Sequence, residues 1–213
     1  RSIIAIHDTT LGPAIGGTRM LPYPSEEAAL TDVLRLSKAM TYKTAMAGLD
    51  LGGGKAVILG DPAKDKSEAL FLAYARAVDS FGGRYITAED VGTTPQDLEI
   101  VMRGTRWLLG KPVSAGGSGD SAPMTGFGVY QAIRACCAEV YGDPSVRGRT
   151  VAIQGFGKVA SALARYLRDA EARLVVSEIN PQARDRAQRE FGARIVDPDA
   201  IRARSQSMGK LVD

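Results

Sequence analysis

Two short stretches carry residue types whose spacing could do chemistry. The first is Gly155-Phe156-Gly157-Lys158-Val159-Ala160, a Gly-x-Gly-x-x-Ala turn between a β-rich run and an amphipathic segment. At this spacing Gly155 permits a tight turn, Gly157 lets the backbone approach a pyrophosphate, and Ala160 keeps the next helix close to the sheet. The N-terminus of that helix offers amide donors and a favourable dipole to an anion. Glu178 closes the next β-type run about 20 residues on, where a carboxylate can accept both hydroxyls of an adenosine ribose. Such a carboxylate repels a 2′-phosphate, so the pattern favours NAD over NADP, with Arg184 and Arg186 downstream as cations that oppose this preference. The alternative is a plain strand-to-helix turn with a solvated glutamate. Strand, helix and acid together outweigh it.

The second stretch is Leu51-Gly52-Gly53-Gly54-Lys55. A Walker A phosphate loop needs longer glycine spacing and a hydroxyl residue after the lysine, but Ala56 follows here, so a P-loop is excluded. Three glycines leading into a strand allow a ligand to lie against bare backbone, with Lys55 at the edge of that space. Turn glycines beside a surface lysine are an equal alternative on physics alone. Other reactive residues are few. The single histidine, His7, precludes a histidine cluster for a metal and is read as a packed or hydrogen-bonded residue on a β-type segment. Cys136 and Cys137 are adjacent, which strains a mutual disulfide, and are read as one core and one flank residue of a helix. Trp107, near Arg103 and Arg106, is read as an interface anchor or a domain-edge aromatic.

The elements that must position these residues alternate between strand and helix. Ser25 before Glu26 and Glu27, with Leu30, Val33, Leu34 and Ser37 at helical spacing, predicts a capped helix up to Met40 that delivers Lys43 just beyond its packed face. Lys55–Leu59 predicts a strand, followed by a helix with Leu70, Phe71, Tyr74, Val78 and Phe81 as its stripe and Gly82-Gly83 as its stop. Arg84–Thr87 reads as a strand, and Thr94-Pro95-Gln96-Asp97 as a capping-box start. A flexible run over 114–120 suits a domain joint or a loop folding over a ligand. Beyond it come a helix from about Thr125 to Tyr141, ended by Asp143-Pro144, a strand at Arg149–Gln154, the glycine turn and its helix, and a strand at Arg173–Glu178.

Composition narrows the class. With 45% hydrophobic and 24% charged residues in 213, the chain reads as a soluble globular protein, which excludes collagen, disorder and small disulfide scaffolds. A net charge of +3 without like-charge blocks argues against nucleic acid or a membrane surface as partner. No apolar run approaches the roughly 20 residues of a bilayer span, and with so little cysteine a cytoplasmic setting is expected. The opening β-type run Ser2–Ile6 and the aperiodic run Arg202–Met208 both suggest a fragment cut within ordered elements.

Several motifs together resemble one family. Gly16-Gly17-Thr18-Arg19-Met20, Met40-Thr41-Tyr42-Lys43, Leu51-Gly52-Gly53-Gly54-Lys55, Gly60-Asp61-Pro62, Thr87-Ala88-Glu89-Asp90-Val91-Gly92-Thr93-Thr94 and Gly117-Ser118-Gly119-Asp120 are similar to the Glu/Leu/Phe/Val amino-acid dehydrogenases, on their branched-chain and aromatic side. The resemblance runs from about Ile3 to about Ile201. It implies reversible NAD-dependent oxidative deamination of an apolar L-amino acid, leucine first and then valine or phenylalanine, to the 2-oxo acid and ammonia. By the same resemblance Lys43 holds the substrate carboxylate, Lys55 is the catalytic lysine that polarises the carbonyl or imino group and activates water, and Asp90 handles protons on the amino group. Gly16 and Gly17 join the substrate site, Ile15, Met40 and Ala88 form its apolar pocket, and Thr125 contacts the nicotinamide carboxamide. Gly155, Phe156, Gly157, Lys158, Val159 and Glu178 hold the dinucleotide. No metal is implied, and a homo-oligomer assembled through the N-terminal domain is. The expected fold is α/β in two domains: a substrate-binding and oligomerisation domain over 1–122, a connecting helix over 123–148, and a partial Rossmann-type NAD domain over 149–213. The competing expectations are a non-catalytic truncated remnant that binds dinucleotide or assembles with partners and, ranked lower, an NADP-linked glutamate dehydrogenase, which requires a basic residue at the ribose position in place of Glu178.

Overall fold

A computed structural model describes residues 1–111 and 113–197. These fall into two units, Arg1–Asp120 and a second that begins at Ser121. The aperiodic run Arg202–Met208 and the end of the family resemblance near Ile201 lie outside the described residues.

The first unit is built on one sheet. Its strands are β1 (Ser2–Asp8), β2 (Ala14–Leu21), β3 (Gly52–Leu59) and β4 (Tyr85–Glu89), in the order β1-β3-β2-β4. β1 runs antiparallel to β3, while β2 is parallel to both β3 and β4. A parallel sheet has to be covered on both faces, and helices supply that cover. One face carries α1 (Glu26–Met46), whose Ala29 and Val33 are fully buried with Val57 of β3. The other carries α2 (Glu68–Asp79), which sets Phe71, Tyr74 and Val78 against Met20, Ala56, Ile58 and Tyr85. α3 (Pro95–Met102) starts on the expected capping box, with reciprocal bonds between Thr94 and Asp97.

Three boundaries differ from the sequence reading. The three glycines are the first residues of β3 rather than a turn leading into it, and α1 packs directly on the middle one: a Cβ on Gly53 would stand 2.1 Å from Thr41 Oγ1 and 2.2 Å from Thr41 N. α1 continues to Met46, so Lys43 sits in its last turn, not past the packed face. α2 stops at Asp79, capped by Ser80, and Phe81 packs on the core from beyond its end. The strand β2 was not anticipated, since Gly16-Gly17 interrupts the β-type pattern in its middle.

The second unit is a run of parallel strands, β5 (Thr150–Gln154), β6 (Arg173–Ser177) and β7 (Arg194–Ile195), in that spatial order. α5 (Lys158–Asp169) and α6 (Pro181–Phe191) connect them, and α4 (Ala122–Tyr141) packs on α5. α4 ends one residue before the predicted stop, at Gly142 in the left-handed region with φ 71°, a conformation glycine adopts without a Cβ penalty. Phe156, Leu163, Leu167, Leu174, Val176 and Phe191 form the core of this unit. Cys137 is buried and Cys136 exposed, as a core-and-flank pair should be. Among the described residues, no helix is long and apolar enough to cross a membrane.

Candidate functional site

The pleat of the first sheet sorts the candidate residues. Residues paired across neighbouring strands point to the same face, and alternate residues of a strand share a face. Ile15 pairs with Gly53 and Ile86, Gly17 with Ala88, and Arg19 with Val57. Val57 and Gly53 both face α1. Ile15, Gly17, Arg19, Lys55 and Ala88 are therefore on the α1 face, where α1 also brings Met40 and Lys43. Ile15, Met40 and Ala88 are each partly exposed, unlike the sealed residues on the α2 face.

Two glycines let the backbone approach closely here, Gly17 on this face and Gly16 on the opposite, α2 face. Gly17 lies under the end of β4, where an added Cβ would stand 2.4 Å from Glu89 O and 3.0 Å from Asp90 Cβ. Gly16 approaches β3 so closely that a Cβ would meet Gly54 O at 1.8 Å, and its carbonyl accepts the buried Tyr85 hydroxyl at 2.6 Å. Below them Thr18, Tyr74 and Thr87 share a closed set of hydroxyl contacts at 2.5–2.8 Å. Thr93 fixes the backbone at the end of β4: its hydroxyl accepts Asp90 N–H at 2.9 Å and donates to Thr18 O at 2.9 Å.

Lys55 and Asp90 meet at this point. Lys55 Nζ lies 2.7 Å from Asp90 Oδ2, with the lysine side chain 8% exposed and the aspartate 23%. Burial is the largest influence on Lys55 and lowers its pKa. Asp90 opposes that, while Arg19 and Lys43 reinforce it. For Asp90, burial alone would raise the pKa, but Lys55, Arg19 and the Val91 amide together hold it below the ordinary carboxylate value. The arrangement is a lysine poised to give up a proton beside a carboxylate kept ionised.

The sequence reading missed Arg19, Asp32 and Tyr23 as members of this cluster. Arg19 Nε donates to Asp90 Oδ2 at 3.0 Å, and Nη1 donates to Asp32 Oδ2 at 3.2 Å. Tyr23 donates its hydroxyl to the same Asp32 oxygen at 2.6 Å, and burial with this bond raises the phenol well above its usual pKa. Arg19 stood within a quoted motif, but only its type was legible. Its partner Asp90 lies 71 residues away in sequence. His7 Nδ1 contacts Thr41 Oγ1 at 2.9 Å, so the lone histidine is hydrogen-bonded although exposed.

In the second unit Gly155 has φ 83°, the left-handed conformation a tight turn requires, and neither Gly155 nor Gly157 has any atom within 4 Å of a built Cβ. Gly157 caps α5 without a side-chain hydrogen bond, which leaves the helix amides to an incoming group. This open, donor-rich turn fits a dinucleotide pyrophosphate. Glu178 accepts Phe156 N–H at 2.5 Å and Asn180 N–H at 2.8 Å, and these backbone donors lower its pKa, so a carboxylate stands ionised at the end of β6. The Phe156 side chain itself is core, with no exposure. Lys158 and Val159 are exposed at the start of α5. Arg186 bonds Phe156 O and Ser161 Oγ, both at 3.0 Å, and stabilises the turn instead of reaching towards a ribose phosphate. Thr125 is exposed in the first turn of α4, where its hydroxyl donates to Ser121 O at 2.9 Å; the adjoining Gly126 lies against Ala162 of α5.

An α/β sheet with a buried lysine paired to a half-buried aspartate, joined in one chain to a dinucleotide-type turn, defines a class of nucleotide-dependent enzyme folds. The chain belongs to the Glu/Leu/Phe/Val dehydrogenase family: residues 1–107 match its dimerisation domain, and residues 116–179 match the model described as glutamate/leucine/phenylalanine/valine dehydrogenase. It is 53% identical over 201 residues to leucine dehydrogenase of Bacillus subtilis (strain 168), covering 94% of this chain and 55% of that protein. Against valine dehydrogenase of Streptomyces virginiae the identity is 51%, over 88% of this chain and 52% of the relative. The crystal structure of L-tryptophan dehydrogenase from Nostoc punctiforme superposes with a TM-score of 0.65 at 44% identity, covering 93% of this chain and 55% of that one. The chain thus spans about half the length of these relatives.

Proposed function

We propose that this chain carries the substrate half and the first part of the nucleotide half of an NAD-dependent dehydrogenase that oxidatively deaminates apolar L-amino acids, leucine foremost. The observation that carries this reading is the 2.7 Å pair of buried Lys55 and Asp90 on the glycine-floored face of the first sheet. A lysine whose pKa is lowered by burial can act as a base, and a neighbouring carboxylate can manage an ammonium group.

Lys43, in the last turn of α1, binds the substrate carboxylate as a point charge. The amino group lies against Asp90, which accepts its proton. Gly155, Phe156, Gly157, Lys158, Val159 and Glu178 would hold NAD, with Thr125 for its carboxamide, and the bound cofactor would supply the hydride acceptor for the α-hydrogen. Lys55 then polarises the imine carbon's substituent and takes a proton from attacking water. Breakdown of that adduct returns ammonia and the 2-oxo acid, with Asp90 donating to the departing nitrogen. Gly16 and Gly17 leave room for the substrate backbone, and Ile15, Met40 and Ala88 receive its side chain. None of these three can pair with a distal carboxylate, which disfavours glutamate. The roles divide as 1–122 for substrate and assembly, 123–148 for connection and 149–213 for the dinucleotide. The family's dimerisation domain over residues 1–107 supports a homo-oligomer.

NADH formation by the purified 213-residue chain, with NAD and separately leucine, valine, phenylalanine or glutamate, tests this reading. Turnover on an apolar amino acid that vanishes in Lys55→Ala is the expected result. Turnover on glutamate alone overturns the pocket assignment, and silence on all four with folded protein withdraws the activity from this chain in favour of the non-catalytic remnant.

A further inference from the structure

Asp90 Oδ2 receives two cations, not one. Lys55 Nζ approaches it at 2.7 Å and Arg19 Nε at 3.0 Å. The two nitrogens therefore stand at most about 6 Å apart, within the range where like charges act strongly on each other. Arg19 is itself held. Its Nη1 bonds Asp32 Oδ2, which also accepts the Tyr23 hydroxyl, so the guanidinium is pinned by α1 and by the segment that leads into it. Only a planar fork with several donors can engage two carboxylates from separate elements in this way, and a lysine offers no equivalent.

We propose that Arg19 is the positioning residue of this site, a non-titrating cation that ties Asp90 to Asp32 and keeps Asp90 in place as the carboxylate partner of Lys55 throughout the cycle. This rests on the function proposed above. The need for it follows from the chemistry. When Lys55 is neutral, its ion pair with Asp90 is gone, and a half-buried carboxylate with no other cation would take up a proton or turn to solvent. Arg19 stays charged at all working pH values, so it keeps the carboxylate from turning away and leaves it ionised until the substrate ammonium delivers its proton. It also repels the Lys55 ammonium through their shared oxygen, favouring release of the lysine proton. The charged and titratable groups around Lys55 are Asp90 from the end of β4, Arg19 from β2, and Lys43 from α1, with Asp32 of α1 and Tyr23 behind Arg19.

The test combines turnover with a readout that needs none. Competitive acetylation of the lysines by acetic anhydride at neutral pH, read by mass spectrometry, reports how much of Lys55 is neutral, with exposed Lys38 as internal reference. In Arg19→Leu, Lys55 labelling is expected to fall several-fold relative to Lys38, and kcat to fall by about tenfold or more with KM little changed, the scale that small misplacements carry. Arg19→Lys should restore the labelling, because the charge returns, but not kcat, because the fork does not. Should Arg19→Leu fail to fold by circular dichroism, Asp32→Asn carries the test, with Lys55 labelling raised and kcat lowered. Unchanged Lys55 labelling in folded Arg19→Leu, full recovery of kcat in Arg19→Lys, or unchanged kcat in Asp32→Asn overturns the proposal. If the wild-type chain turns nothing over, the proposed function falls separately, and the labelling alone decides whether Arg19 governs Lys55.

Discussion

Lys55 sits in a setting that opposes its charge, and only Asp90 offsets this. Two residue-scale predictions follow from the pair. Asp90→Asn removes the one group raising the Lys55 pKa, so Lys55 should become neutral at lower pH while deamination is lost, a combination that separates the two roles in a pH profile of labelling and rate. Asp90 also links stability to pH. Its folded pKa lies below the unfolded 3.8, so its contribution is present above that value and disappears as pH falls through the folded pKa. Acid unfolding followed by circular dichroism should therefore lose part of its slope below about pH 4 in Asp90→Asn. At this scale the sequence was informative about type and poor about company. Lys55 and Asp90 were recognisable from their motifs, whereas the Arg19–Asp32–Tyr23 chain depends on contacts that no local spacing reveals.

The packing of α1 on β3 is the structural event that makes the site. Gly53 has no positive φ and its requirement is steric: the space a Cβ would need is filled by Thr41. Gly53→Ala should push α1 off the strand and destabilise the first unit by about 1–3 kcal/mol, the usual penalty of overpacking, measurable by urea unfolding. Ser25→Ala, which deletes the bond from Ala28 N–H to the Ser25 hydroxyl, should cost about 1 kcal/mol and leave the site geometry intact. A loss of activity in Gly53→Ala greater than its loss of folded protein would show that the helix position matters to the chemistry. Two helix starts were legible here because caps are local: Ser25 and Thr94 both accept from the first turn of their helices. The strand β2 was not, because its glycines serve close approach between strands rather than β propensity.

Across the whole chain, the proposed function assigns one half of a reaction to each of two units with separate cores, amino-acid binding to the first and dinucleotide binding to the second. NADH should raise the melting temperature of the chain, with about 2.7 kcal/mol of added stability at a hundredfold excess over its dissociation constant. Gly157→Val, which puts a branched side chain where the Cβ position is now open, should abolish that shift while leaving the ligand-free melting temperature within a few degrees. An undiminished shift in Gly157→Val would remove the glycine turn from the cofactor site.

The alternation of strands and helices, the caps at Ser25 and Thr94 and the Gly155–Gly157 turn were determined by sequence alone, because each depends on residues within a few positions of one another. The family motifs added the identities of Lys43, Lys55 and Asp90. Only the tertiary structure decided that three glycines belong to a strand, that Arg19 and Lys55 converge on a single oxygen of Asp90, and that Arg186 bonds the glycine turn. These arrangements are set by side chains from distant segments competing for the same small volume. Burial and charge at such a point are properties of the packed whole, with no counterpart in any window of the chain.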